Sequence, residues 1–443
     1  MCRNVAQEHL KKNQLTGTSL EEAKRLLNAD EHEACLHVLR EHWLKHPDDR
    51  ACIELLAALL KKVGATDLGG HLSRLAAQVS GKAADPQLLF DTGFQLIDLR
   101  EYQLAAMLLT RCLELAPDDP TLNYELGFTL MSLGRYLDAI PRFEAAASKV
   151  DDFDTRLNLA ACYVCTRRLE RAREMVEQMS KFAEGEEQET ELAHRRIVLR
   201  RLQAVNDKTT FGARDWLYVH YGTVLVTPPA EAGIPGPDQP LWNDYSQVGS
   251  KLIVLKGVLA GLGEEFEVIE FYSPLSRPLA QAFADLMDLP CESYKGPERP
   301  DRALLMMAWA GDIVGPHQSF VEHSPNRSIF AYALSTREPL PVTPDLVGCL
   351  ADACAMPWDE HWKITTGQTG APPKVEHVAA DASSPQTIAA RIVERARAHE
   401  SDPELIDAIQ EAVNYYLLRR NLIVVGAHDL FPRRPEYTAE LPE

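Results

Sequence analysis

Two stretches decide the fold: PQLLFDTGFQLIDLREYQLAAMLLTRCLELAPDD, residues 86–119, and PTLNYELGFTLMSLGRYLDAIPRFEAAASKVDDF, residues 120–153. Set one on the other, Gly93 falls on Gly127, Leu96 on Leu130, Leu99 on Leu133 and Tyr102 on Tyr136. Ala105 falls on Ala139, Leu109 on Phe143 and Cys112 on Ala146, so every offset is 34 residues. A fixed period of this size marks a repeat whose unit is a helical hairpin. The residue types fit that unit. Gly93 and Gly127 are small where two antiparallel helices must approach, Ala105 and Ala139 do the same from the second helix, and Tyr102 and Tyr136 open it. Pro117, Asp118, Asp119 and Pro120 end one hairpin and start the next, because Pro lacks the N–H that a helix interior needs and Asp is a good N-cap.

Outward from this pair, a third unit follows with one residue fewer expected in its inter-helix turn. Leu157, Ala160, Ala161 and Val164 line its first helix, and Leu169, Ala172 and Val176 its second. Two degenerate units precede the pair: helices near Leu20–Ala29 and Ala34–Lys45, then near Cys52–Val63 and Leu68–Val79. A helix over Gln188–Leu202, apolar at Leu192, Ile197, Val198 and Leu202, reads as a cap on the last stacking face. His194, Arg195, Arg196, Arg200 and Arg201 form a basic strip on it, read as a solvated face opposite Glu184–Glu191.

The matched residues resemble the tetratricopeptide repeat superfamily over about two-fifths of the chain, and Leu89–Met179 also resembles the three-repeat core of type III secretion chaperones. The resemblance implies an all-α superhelix with a groove that holds a peptide or partner domain. Because the first helix of each hairpin faces that groove in the family, Gln95, Asn123, Tyr124, Asn158 and Tyr163 are candidate groove residues. The Lys and Arg pattern of the family's carboxylate clamp is absent from these helices.

Composition shifts near Lys208, which divides the chain into a repeat domain, 1–205, and an α/β domain, 206–443. Trp216–Val226, rich in aromatic and β-branched residues, predicts a strand bent at Gly222. Helices are expected over Tyr245–Leu262, Arg277–Met287, Pro344–Cys354, Pro385–His399 and Pro403–Arg420. Strands are expected over Glu267–Tyr272, Cys291–Tyr294, Leu304–Trp309 and Ser328–Leu334, and Leu422–Val425 is either a last strand or the end of a helix. Such alternation predicts a Rossmann-like, mostly parallel sheet.

Within it, Glu267–Trp309 resembles the middle of a type I phosphoribosyltransferase fold. That resemblance implies a pyrophosphate-holding loop at Ser273, Ser276 and Arg277. The family's acidic pair and phosphate-binding hydroxyls are missing from Ala308-Trp309-Ala310-Gly311-Asp312, so the resemblance implies a degenerate module without that catalysis. His317, Glu322 and His323, in the following loop near Asp312, add candidate ligand-binding groups at a strand end, His317 and His323 foremost.

The formal net charge of −19 excludes a general nucleic-acid binder, which needs clustered cations. No apolar stretch is long enough to span a membrane and no signal segment is evident, so a cytoplasmic location is expected. Nine cysteines, an odd number in a long chain, read as reduced thiols. Cys162 and Cys165 lack a second pair for zinc, and His42 and His46 read as surface histidines, so no metal and no cofactor is expected. The sequence reads as a protein-binding adaptor rather than an enzyme. The alternatives are an enzyme of phosphorylated or nucleotide-like small molecules with the repeats as a targeting arm, and a secretion-type chaperone.

Overall fold

The computed structural model describes residues 19–78, 85–227, 240–296, 299–312, 326–335, 338–351, 353–365, 374–425 and 442. The chain divides into two compact units with the border between Arg196 and Ile197.

In the first unit the described residues build five helical hairpins. They pair α1 (Ser19–Asn28) with α2 (His32–Lys45), α3 (Arg50–Lys62) with α4 (Thr66–Gln78), and α5 (Pro86–Asp98) with α6 (Tyr102–Leu115). Next come α7 (Pro120–Ser132) with α8 (Tyr136–Ala147), and α9 (Phe153–Cys165) with α10 (Leu169–Met179). Asp49, Asp85, Asp119 and Asp152 start α3, α5, α7 and α9. Their carboxylates accept from the N–H groups of Cys52 (3.2 Å), Gln87 (3.0 Å), Leu122 (2.9 Å) and Thr155 (2.8 Å). Each such cap satisfies a donor that the helix itself leaves open. The paired helices meet as the sequence requires. A Cβ on Gly93 would lie 2.9 Å from the Leu109 side chain and one on Gly127 3.1 Å from Phe143. Leu109 and Phe143 are themselves fully buried, each stabilising by about 1.5–3 kcal/mol.

The turns repeat as faithfully as the helices. Asp30, Gly64, Arg100, Gly134 and Arg167 stand at the same place in the five hairpins with φ of +58, +93, +59, +71 and +58°. The next N–H returns to the preceding helix, as from Arg135 to the Leu130 carbonyl (2.9 Å) and from Arg168 to that of Tyr163 (2.8 Å). The predicted shortening of the third inter-helix turn is not there: 99–101, 133–135 and 166–168 are all three residues long. The missing residue lies before α9, because α8 ends early, at Ala147. A side chain in the left-handed region costs about 1–2 kcal/mol, part of which glycine returns as unfolded-state entropy. Arg167→Gly should therefore stabilise the repeats by about 0.5–1 kcal/mol, read as a higher urea midpoint in far-UV circular dichroism.

In the second unit, two expectations fail. The predicted strand Trp216–Val226 is a helix, α12 (Ala213–Tyr221), followed by the two-residue β1 (Val224–Leu225). The Gly212 N–H donates to Asp215 Oδ2 (3.0 Å) to start the helix, and Gly222 ends it at φ +71°. Trp216, Leu217, Tyr218, Val219 and Tyr221 are all buried, so burial on every side produces the apolar run that reads as a strand. The predicted helix Pro344–Cys354 is instead β7 (Leu346–Leu350) and β8 (Ala353–Ala355). A Cβ on Gly348 would stand 2.4 Å from the Tyr332 carbonyl oxygen, a closeness set by the neighbouring strand.

β3 (Val268–Phe271), β4 (Cys291–Ser293), β5 (Ala303–Trp309) and β6 (Arg327–Leu334) complete a six-stranded sheet with β1 and β7. Its order is β1-β7-β6-β5-β3-β4 and every pairing is parallel. β2 (Pro240–Trp242) pairs with β8, and β9 (His361–Thr365) with β10 (Lys374–Val378) forms an antiparallel hairpin that the sequence reading missed. α12 covers the sheet near β1, β6 and β7 through Ala213, Leu217 and Tyr221. α14 (Arg277–Met287) lies on β3, β4 and β5. α13 (Tyr245–Leu262), α15 (Pro385–Ala398) and α16 (Pro403–Leu417) pack together beside it. Leu422–Val425 is neither strand nor helix end: a short 3-10 turn at Arg420–Leu422 leads to buried Ile423, Val424 and Val425. α11 (Gly185–Gln203) runs across the border between the units.

Candidate functional sites: the repeat face and the switch-point crevice

In the repeats, α5, α7 and α9 lie side by side. Their outward positions carry Phe90, Phe94, Tyr124 and Phe128. Phe90 and Phe94 stack at 6.1 Å, Phe128 meets Tyr102 edge-on at 6.5 Å, and Phe94 stays 41% exposed. Tyr124 packs edge-on against Phe143 at 5.7 Å and its hydroxyl accepts from Asn158 Nδ2 (3.1 Å), which ties α7 to α9. Tyr124 also lines a cleft of about 250 Å³ with Thr121, Val150, Asp152 and Asp154. Of the predicted groove residues, Tyr124 and Asn158 therefore belong to one surface. Gln95 is half-buried, and its Oε1 has no donor among the described residues.

The other two are committed to the frame. Asn123 is buried, its amide N–H groups donating to the carbonyls of Pro117 (2.9 Å) and Asp119 (2.8 Å). Tyr163 is buried too, donating to Glu144 Oε1 (2.6 Å); burial and that bond push its pKa up to about 12. The sequence reading missed Phe94 and Phe128, although their 34-residue spacing was the available signal.

In the second unit the strand order reverses between β3 and β5. The chain leaves β3 for the edge strand β4 and returns on the other side of β3 as β5. Ligands of open parallel sheets sit in the crevice beyond the C-terminal strand ends at such a switch point. There, after β3, stand Ser273 and Ser276; after β5 stands Asp312. Ser273 Oγ donates to Asp312 Oδ2 (2.9 Å), so Ser276 Oγ donates to Ser273 (3.0 Å) while accepting from the Ala308 N–H (2.9 Å). Burial raises the pKa of Asp312, the Ser273 bond partly offsets this, and Asp359 adds to the rise. The Tyr272 and Tyr294 rings lie 5.8 Å from each other, and burial, with the charges of Tyr294 and Asp312 adding to it, raises the Tyr272 pKa.

Both predicted serines are thus brought together with Asp312, the Ser273 hydroxyl bonded to it and the Ser276 hydroxyl to Ser273. Arg277 stands apart, exposed at the head of α14 with its guanidinium 5.5 Å over the Phe271 ring. His317, Glu322 and His323 lie outside the described residues.

A raised carboxylate pKa sets the sign of a pH effect. The unfolded chain releases the Asp312 proton first, so this group's contribution to stability falls as pH rises through its folded pKa. Asp312→Asn should raise the thermal midpoint at neutral pH by a few degrees, with the gain vanishing in acid where Asp312 is protonated.

Arg201, read as part of a surface basic strip, is fully buried at 1% exposure. Its Nε donates to the Leu422 carbonyl (2.8 Å) and Nη1 to that of His220 (3.4 Å). His42 is occupied by Ser19 Oγ (2.6 Å) and Asp49 Oδ2 (2.8 Å). Burial raises the pKa of Cys162, leaving it a packed thiol. Among the described residues no group of three or more His, Cys, Asp or Glu side chains could hold a metal ion, and no helix is long and apolar enough to cross a membrane. A wider cleft of about 460 Å³ runs along α16, lined by Lys208, Glu411, Asn414 and Tyr415 among others.

No protein-family model and no curated protein matches the chain. Among solved structures it is similar to MamA of AMB-1, at 20% identity over 37% of this chain and 96% of that one, with a TM-score of 0.25. It is also similar to YrrB, described as a TPR protein with an unusual peptide-binding site, at 17% identity over 40% and 90%, TM-score 0.24. For PilF of Pseudomonas aeruginosa the values are 17%, 43% and 84%, TM-score 0.27. The capped hairpins, their common left-handed turn and the 34-residue offset of the middle pair make the first unit a helical repeat that resembles the tetratricopeptide kind, followed in the chain by a parallel α/β sheet.

Proposed function

We propose that this protein is a scaffold that holds a protein partner on the first-helix face of its repeats. The observation that carries the reading is the aromatic strip Phe90, Phe94, Tyr124 and Phe128 on adjoining helices, of which Phe94 is left 41% exposed. A folded repeat gains nothing from an exposed Phe94, whereas a partner does: buried aromatic anchors dominate binding energy at interfaces. YrrB, the peptide-binding TPR protein, is compatible with that use. A photo-crosslinker at Phe94 in the full chain should capture the partner. Phe94→Ala with Phe128→Ala should then weaken its binding by at least about 2 kcal/mol, some 30-fold, in a titration. An unchanged affinity sinks the proposal.

The α/β unit is read as a sensing or docking module rather than a transferase. With the Ser273 hydroxyl bonded to Asp312 and the Ser276 hydroxyl to Ser273, the crevice offers a carboxylate and two tyrosine rings where the phosphoribosyltransferase resemblance implies a pyrophosphate cradle. A ligand there would be neutral or cationic. A cytoplasmic location and repeat and sheet domains meeting near residue 205 belong to the same reading.

A further inference from the structure

We infer that the partner segment held on the repeat face is basic, a Lys- or Arg-bearing stretch with at least one aromatic or large aliphatic anchor. The inference rests on the scaffold reading and sharpens it. Its basis is a separation of charge within the third and fourth hairpins. Between residues 86 and 152 the cations are Arg100, Arg111, Arg135, Arg142 and Lys149, and all five lie in turns, second helices or the stretch after α8. The first helices, α5 and α7, carry Asp91, Asp98 and Glu125 and no Lys or Arg.

These acids are gathered rather than spread. Asp98, at the end of α5, is close enough to Glu125 on α7 to raise its pKa, burial being the larger cause. Around Tyr124 the charges of Asp154, Glu125 and Asp152 add to burial in raising the hydroxyl pKa. Among the described residues none of Asp98, Glu125 and Asp154 pairs with a cation. A half-buried carboxylate facing another carboxylate is unfavourable in the free protein. A guanidinium or ammonium arriving among them relieves that repulsion, and its stem can lie along the rings of Phe94, Tyr124 and Phe128. An acidic partner would add like charge to the same space, which costs affinity and slows encounter.

The test uses the full chain and a displayed library of random peptides about a dozen residues long. Peptides selected at low salt are re-measured against Asp98→Lys/Glu125→Gln and against Phe94→Ala/Phe128→Ala. Asp98→Lys alone, at an exposed position, stands in should the Glu125 change unfold the repeats. The expected peptides are rich in Lys and Arg and bind about 10-fold more weakly to either variant, with the charge variant's deficit shrinking as salt rises. Peptides that need Phe94 and Phe128 but are neutral or acidic, or bind the charge variant as well, overturn the basic partner and leave the groove standing. Peptides indifferent to both variants, or no selected peptides at all, overturn the groove reading itself.

Discussion

Glu270→Ala is expected to destabilise the sheet unit by about 3–5 kcal/mol, enough to unfold many domains outright. Glu270 lies inside β3 with its side chain 1% exposed, and Arg327 Nε donates to it at 2.8 Å from a side chain 3% exposed. Arg299 makes a second ion pair with the same carboxylate. Arg327 has further support, donating to the Gly296 carbonyl (2.8 Å) and lying 4.7 Å over the Tyr294 ring, but neither contact carries charge. Removing the carboxylate takes their shared acceptor from two guanidinium groups that are 3% (Arg327) and 11% (Arg299) exposed. Glu270→Gln keeps the shape and one acceptor and should lose less. The measurement separates the units: five of the six tryptophans lie after residue 196 and only Trp43 before it. Tryptophan fluorescence therefore follows the sheet unit in urea while far-UV circular dichroism weights the repeats. A loss under about 1 kcal/mol would show that the triad contributes little beyond what an apolar replacement could supply.

Arg201→Ala is expected to cost about 3 kcal/mol or more. The substitution removes a fully buried side chain and strands the carbonyls of Leu422 and His220. Burial pulls the Arg201 pKa down to about 9, which still leaves it charged at neutral pH, held by oxygen dipoles at the end of α12. A Cβ on Gly222 would fall 2.2 Å from Arg201 Nη2, so the guanidinium fills the space that glycine leaves. Hydrogen exchange gives the local readout, because the Val424 N–H donates to the Gly222 carbonyl (3.0 Å). That amide should exchange far faster in the variant. Unchanged protection would mean that the turn holds without its cation.

The repeats were legible because everything that shapes them is local. A 34-residue period, an Asp before four of the five first helices and a small residue at the close approaches are all features of single hairpins and their neighbours. The aromatic strip was legible in principle too, but polar residues such as Asn123 drew attention that its buried, turn-binding role does not merit. The sheet unit resisted for the opposite reason. Trp216–Tyr221 is rich in residues that favour strands because it is a helix buried on nearly every side, which hides the helical period. Leu346–Leu350 becomes a strand because β6 and β1 flank it. Arg201 had a signal that the sequence reading passed over. Val198, Arg201, Leu202 and Val205 stand at i, i+3, i+4 and i+7, so the arginine sits on the apolar stripe of its helix rather than on the charged side. Ser273 and Ser276 do follow a strand end, but only the coordinates turn the Ser273 hydroxyl onto Asp312 and the Ser276 hydroxyl onto Ser273.

The pairing of β1 with β7 also sets the order in which the chain can be made. Thr227, just past β1, bonds to the carbonyl of Gly348 in β7, 121 residues later, and Arg201 waits for Leu422, 221 residues on. The hairpins close within themselves and can fold as they leave the ribosome. At about 5–20 residues per second, β1 must stay unpaired for roughly 6–24 seconds until its neighbour is synthesised. During that interval the apolar face of α12 and the open edge of β1 are the parts of the nascent chain most exposed to misassociation. A ribosome stalled before residue 346 should therefore carry finished repeats and an unclosed sheet, a natural substrate for chaperones and proteases.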